Sequence, residues 1–171
     1  MSEYIVVDGY NVVYAWPDLK KLKEESLEHA RDRLVHTLAD YAGLSGDRIM
    51  VVFDAHQVRC STNARYEEVN GVQIFYTREE ETADAMIERL VGEMPGDGYT
   101  RVVTSDWDEQ RIILGRGAYR MTPGELRQRV LRIKKEGQDK FTRKKPADGY
   151  LENRLAENIR QLFEQWRKER E

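Results

Sequence analysis

Short β-branched runs that end on an acidic or small polar residue, alternating with stretches of helical period, constrain this chain more than any other feature. Tyr4–Val7, Ile49–Phe53, Val72–Tyr76 and Arg101–Thr104 read as buried strands. Between the first two, Leu27, Ala30, Leu34, Leu38 and Tyr41 recur at helical spacing, with Gly43 and Gly46 as stop signals. Ala83, Ile87, Leu90 and Met94 form a second helical face, stopped by Pro95-Gly96. Residues 106–114 read as helix and Ala118–Met121 as a last edge strand. Strands alternating with amphipathic helices predict an α/β fold whose parallel sheet is covered on both faces. Ala55–Asn70 shows no clear helical period and reads as one long loop.

The C-terminal third is organised differently. Thr122-Pro123-Gly124-Glu125 is a helix start with proline in the first turn, and Leu126, Val130 and Ile133 continue it, with Gly137 as its expected end. Residues 138–147 hold almost no apolar side chains and four basic ones, and are expected to be a mobile basic loop. In 148–171, Leu151, Leu155, Ile159, Leu162 and Trp166 make one stripe, expected to pack on the same domain rather than to form a dimer seam. The expected organisation is a monomer with a domain over 1–137, the basic loop and a C-terminal helix.

Composition removes several classes. A chain of 171 residues fits one domain. One cysteine, Cys60, cannot close an internal disulfide or build a Cys-rich zinc module, which predicts a reduced, cytoplasmic protein. The longest apolar run, Ile49–Phe53, is far short of the roughly 20 residues of a membrane span, so no membrane partner is expected. Net charge is −3, but residues 111–145 carry 12 Lys and Arg against three Asp and Glu, a net of +9 that leaves −12 for the remainder. An acidic body with one basic stretch suits a protein that holds cations in one place and polyanion phosphates in another.

In an open parallel sheet, ligands sit beyond the carboxyl ends of the strands. Asp8, Asp54 and Asp106 each follow a strand run, and Asp84 lies in the first turns of the helix after the third. Each alone could be an ordinary cap or turn residue. Gathered in one cleft they would repel one another unless a cation neutralised them. Mg2+ or Mn2+ is the fitting cation, and with sparse carboxylates it is completed by substrate phosphate oxygens. Hydrolysis of a phosphodiester is the chemistry this predicts. Competing sites lack their parts: there is no G-x-G-x-x-G after the first strand, no P-loop and no G-x-S-x-G elbow. His29 and His36 are seven apart rather than four, and His56 stands alone.

Ile5-Val6-Val7-Asp8-Gly9-Tyr10-Asn11, Val51–His56, the TREEETAD segment Thr77–Asp84, and Thr104-Ser105-Asp106-Trp107 together resemble the YacP-like branch of the NYN nucleases, relatives of the PIN domain. The resemblance implies a PIN-like three-layer fold, with a central parallel sheet of about five strands flanked by helices. It also implies an acidic Mg2+ or Mn2+ site used for RNA cleavage, and a likeness to a ribosome-associated endoribonuclease that cuts messenger RNA. Carried over by position, Asp8, Asp84 and Asp106 are the catalytic metal ligands and Asn11 supports the first of them. Asp54, Glu81 and Asp108 fall near matched segments, and which of them touches metal stays open.

Lysine and arginine neutralisation of phosphates supplies most sequence-independent affinity for nucleic acid. Arg127, Arg129, Arg132, Lys134, Lys135, Lys140, Arg143, Lys144 and Lys145 are the candidate RNA contacts, with Arg59 and Arg65 flanking the cleft from the long loop. Phe141, alone in a polar tract, is the candidate stacking platform. Two other functions fit less well. A non-catalytic RNA- or ribosome-binding module would use the same basic stretch without cutting. A haloacid dehalogenase-type phosphohydrolase would want an aspartate two residues after Asp8, where Tyr10 stands.

Overall fold

The computed structural model describes residues 2–54, 66–78, 80–94, 99–105 and 117–143. Its elements in chain order are β1 (Tyr4–Asp8), α1 (Gly9–Ala15), α2 (Pro17–Glu25), α3 (Leu27–Ser45), β2 (Arg48–Phe53), β3 (Tyr66–Val69), β4 (Val72–Tyr76), α4 (Ala83–Glu93), β5 (Thr100–Val103), β6 (Tyr119–Met121) and α5 (Pro123–Arg143). The strands form one sheet in the order β3-β4-β2-β1-β5-β6. Every pairing is parallel except the edge hairpin β3–β4. Residues Met1–Lys135 form one compact unit, and α5 continues from it into a second unit, Glu136–Glu171.

Alternation along the strands sorts the core into two layers, as the period of two requires. Ile5, Val7, Ile49, Val51, Phe53, Ile74, Val103 and Met121 face α1, α2, α3 and α5, where Val12, Leu19, Leu34, Leu38 and Leu126 meet them. Val6, Val52 and Val102 face the other way, against Met86, Ile87, Leu90 and Val91 of α4. The result is the expected three-layer α/β arrangement. From β1 the chain adds β2 and then β4 on one side and returns to place β5 on the other, so the strand order reverses between β1 and β5.

The helix ends are chemically marked. Ser26 and Thr82 accept from the backbone N–H of His29 and Ala85 to cap α3 and α4, and Gly46 closes α3 in the left-handed conformation. At α5, Thr122 Oγ1 accepts from Glu125 N at 3.1 Å while Glu125 Oε2 accepts from Thr122 N at 2.7 Å, a reciprocal capping box. Buried Trp16, between α1 and α2, donates through Nε1 to the Pro123 carbonyl at 2.8 Å and ties that corner to the start of α5.

The structure departs from the sequence expectation in three places. The sheet has six strands rather than about five, because residues 66–69, expected as loop, pair with β4 across a turn in which Asn70 and Gly71 both take positive φ, 48° and 84°. That two-residue Asn-Gly turn is the one a tight hairpin requires. Residues 9–25, for which no element is foreseen, form α1 and α2. Gly137 does not end α5, which continues to Arg143, so 138–143 are helical rather than loop. One helical glycine costs only about 1 kcal/mol against alanine, less than the flanking good helix formers recover.

A single close approach holds the β1–α1 junction. A Cβ on Gly9 would lie 2.6 Å from Cδ1 and 2.9 Å from Cζ of Phe53. The Phe53 ring is fully buried and fixed edge-on by Tyr10 and in a stack by Tyr76, so it has nowhere to move. Gly9→Ala is therefore expected to destabilise the protein by about 1–3 kcal/mol through overpacking. Gly43→Ala in α3, where a Cβ meets nothing within 4 Å, should stabilise it by about 0.5–1 kcal/mol. Urea unfolding of both variants measures the pair, and a silent Gly9→Ala would contradict the packing described.

Candidate active site

Asp8 is the last residue of β1, and the chain turns there into α1 with the aspartate as N-cap. Asp8 as a whole is 8% exposed, an unusual burial for a residue that carries a carboxylate. Asn11 secures it twice: the backbone N–H donates to Asp8 Oδ1 at 3.4 Å and Nδ2 donates to Oδ2 at 3.0 Å. The same Nδ2 reaches Thr104 Oγ1 at 3.5 Å, and Ser105 Oγ donates to Asn11 Oδ1. Thr104 and Ser105 follow β5 directly, so the Asp8–Asn11–Thr104–Ser105 network bridges the carboxyl ends of β1 and β5. That is the point where strand order reverses, the crevice in which open α/β sheets bind ligands.

Burial pushes the Asp8 carboxyl above its ordinary range, and the negative charges of Asp84 and Asp54 push it further, against the two opposing hydrogen bonds from Asn11. Asp54 directly follows β2 and is half-buried, and Asp84 is exposed in the first turn of α4, which Thr82 caps. By strand alternation Asp8 and Asp54 belong to the face that α4 covers. Asp54 and Asp84 thus both act on Asp8 electrostatically at one sheet edge. Among the described residues no three His, Cys, Asp or Glu side chains close to metal-binding distance. Asp106 and Asp108 lie outside the described residues. Glu81 is engaged elsewhere, with Oε1 accepting from Arg89 Nη1 at 2.7 Å. The donor chemistry of Asp8, Asp54 and Asp84, all hard carboxylate oxygens with one held buried, fits Mg2+ or Mn2+.

The candidate RNA contacts distribute unevenly. Arg127 Nη2 is 3.1 Å from Asp18 Oδ1, and Arg129 Nη1 is 2.7 Å from Glu3 Oε2. Glu3 precedes β1, so by Arg129 the helix α5 has run back to the amino ends of the strands. Arg132, Lys134 and Lys135 are exposed and follow Arg129 along α5. In the second unit, Lys140 is exposed and Phe141 is 76% exposed. Arg143 is the last helical residue. Arg59, Arg65, Lys144 and Lys145 lie outside the described residues.

Sequence reading missed the cations that do stand at the carboxyl edge. Arg31 lies in the N-terminal part of α3, with its guanidinium 5.9 Å from the Phe53 ring centroid and 5.7 Å from that of Tyr76, the last residues of β2 and β4. Lys23 Nζ lies 4.3 Å from the Tyr14 ring. No local signal marks these pairings, since each joins a helix to a ring brought close only by the fold.

A family model for the YacP-like NYN domain matches residues 5–168. The chain is 39% identical over 174 residues to the Bacillus subtilis (strain 168) protein named uncharacterized protein YacP, with 97% of each covered. The crystal structure of Rae1 (YacP) from Bacillus subtilis superposes with a TM-score of 0.72 at 38% identity, covering 97% of this chain and 95% of that one. A point-mutant form of the same protein gives 0.69 at 39% identity, over 84% and 86%. On the family match and the near-complete coverage together, this chain belongs to the YacP-like NYN domain family.

Proposed function

We propose that the chain is an Mg2+- or Mn2+-dependent endoribonuclease, cytoplasmic and monomeric, that cuts messenger RNA in association with the ribosome. Family membership carries the coarser part, a nuclease-type, RNA-related function. The observation that supports a metal-dependent cut is the buried Asp8 carboxyl, raised by burial and by the charges of Asp84 and Asp54 at the strand-order reversal. Carboxylates kept together at such a cost need a positive counterpart.

Asp8, Asp84 and Asp106 are the residues assigned to hold the ion, with Asp54 in reach of the same charge field. When bound, a divalent ion there would supply charge stabilisation at the scissile phosphate and a more acidic water. Asn11 fixes the carboxylate: with Nδ2 on Oδ2 and its own Oδ1 held by Ser105, the Asp8 side chain is set in one rotamer before any substrate arrives. Thr104, fully buried, backs the amide from the β5 side.

Cleavage of RNA, both free and on translating ribosomes, tests the reading. Asp8→Asn should lose at least about 100-fold in rate, since a metal contributes several kcal/mol of transition-state stabilisation. Equal cleavage by both proteins would contradict the assignment. RNA left intact by the wild-type protein on either substrate, with salt-sensitive binding, would favour the non-catalytic module instead.

A second expectation concerns stability. A carboxyl whose folded-state pKa is raised contributes fully below its ordinary value of 3.8, and that contribution is lost as pH rises through the raised value. At pH 7 the Asp8 charge is therefore a cost. In EDTA at pH 7, Asp8→Asn should melt at or above the wild type, with the gap closing below about pH 4. Added Mn2+ should raise the melting temperature of the wild type alone. A marked loss of stability in Asp8→Asn at pH 7 would show the charge to be well compensated already.

A further inference from the structure

An acidic edge repels the phosphates it would act on, so cations must flank it for a nucleic-acid strand to approach. The basic helix α5 does not supply them near Asp8 within the first unit, because it runs toward Glu3 and the far ends of the strands. Among the described residues, Arg89 is paired with Glu81, Arg101 and Arg129 with Glu3, and Arg127 with Asp18. Arg31 is different. It is half-buried, has no carboxylate at ion-pair distance among the described residues, and rests on the rings of Phe53 and Tyr76. The buried Tyr10 hydroxyl lies beside it and interacts with the guanidinium through hydrogen bonding as well as charge.

A cation held against aromatic rings is attracted through the ring quadrupole, which takes none of its N–H donors. Apart from the donor turned to Tyr10, its N–H groups stay available to an incoming anion, and a planar guanidinium matches two phosphate oxygens. Aromatic contacts continue outward from this seat. Phe53 meets Tyr10 at 5.1 Å, Tyr10 meets Tyr14 at 6.3 Å, and Lys23 lies on Tyr14, a residue that is 41% exposed. Lys23 and Arg31 are thus two cations along one aromatic row whose Phe53 ring abuts Gly9, the residue after Asp8.

We infer that Arg31, with Lys23 two rings farther along the row, forms a phosphate-contacting strip that guides single-stranded RNA to the Asp8 edge from the α3 side. This inference rests on the RNA-directed reading above, and it makes Arg31 a substrate-positioning residue that sequence composition does not reveal.

Binding of a fluorescent single-stranded oligoribonucleotide to the full chain in EDTA, between 50 and 200 mM salt, tests it without requiring cleavage. Each lost phosphate contact should reduce the slope of log K against log salt by about 0.7 and weaken binding about fivefold near 0.1 M salt. Arg31→Gln should show that change, Arg31→Gln with Lys23→Gln about twice the slope change, and Arg31→Lys little of it. A role confined to packing predicts the opposite pattern: a lower melting temperature for Arg31→Gln with the slope unchanged, which would overturn the inference. Absence of any binding by the wild type would overturn it as well. RNA that is bound through Arg31 but never cut would instead sink the nuclease reading and leave the strip standing.

Discussion

The contact between the Gly9 backbone and the Phe53 ring is the constraint on which the rest of the structure depends. It lets α1 start directly at the end of β1, and so makes the last residue of that strand an N-cap. A carboxylate that caps a helix at the end of a central strand is held in one direction and shielded from water on most sides. Asn11, one turn into the same helix, then lies within reach of both Asp8 and the residues after β5. Packing at one glycine thus sets the position of a charged group, and the strand-order reversal decides that this group lines a crevice.

That arrangement concentrates opposing tendencies. Burial of Asp8 and its repulsion by Asp54 and Asp84 work against folding, while the aromatic cluster of Tyr10, Phe53 and Tyr76 on the other side of the same edge works for it. The cluster also seats Arg31, so one set of rings stabilises the junction and presents positive charge next to the acidic side. Local cost at a site, offset by the packing around it, is what pre-organised chemistry requires.

Most of the sheet is legible in the sequence because strands buried on both faces must be continuous apolar runs, as in Ile49–Phe53 and Val72–Tyr76. The α5 start is legible because Thr122 and Glu125 carry the capping box in their spacing. Helix α1 is hidden because Val12 and Val13 read equally as strand, and its helical form comes from the Asp8 cap and from tertiary packing. Strand β3 is hidden behind Glu67 and Glu68, which suit an exposed edge, although Asn70-Gly71 does mark the hairpin. Asp8 and Asn11 are visible as candidates because their place after a strand is local information. The direction of α5 is not, since only the Arg129–Glu3 ion pair reveals which end of the sheet its cations reach.

A crystal structure of the wild-type protein soaked with Mn2+, read by anomalous scattering, would bear most directly on whether these carboxylates serve one ion. The expected result is a peak bound by Asp8 with Asp84 and Asp106 beside the carboxyl ends of β1 and β5. Manganese absent from Asp8, or these three carboxylates facing separate neighbourhoods, would contradict it.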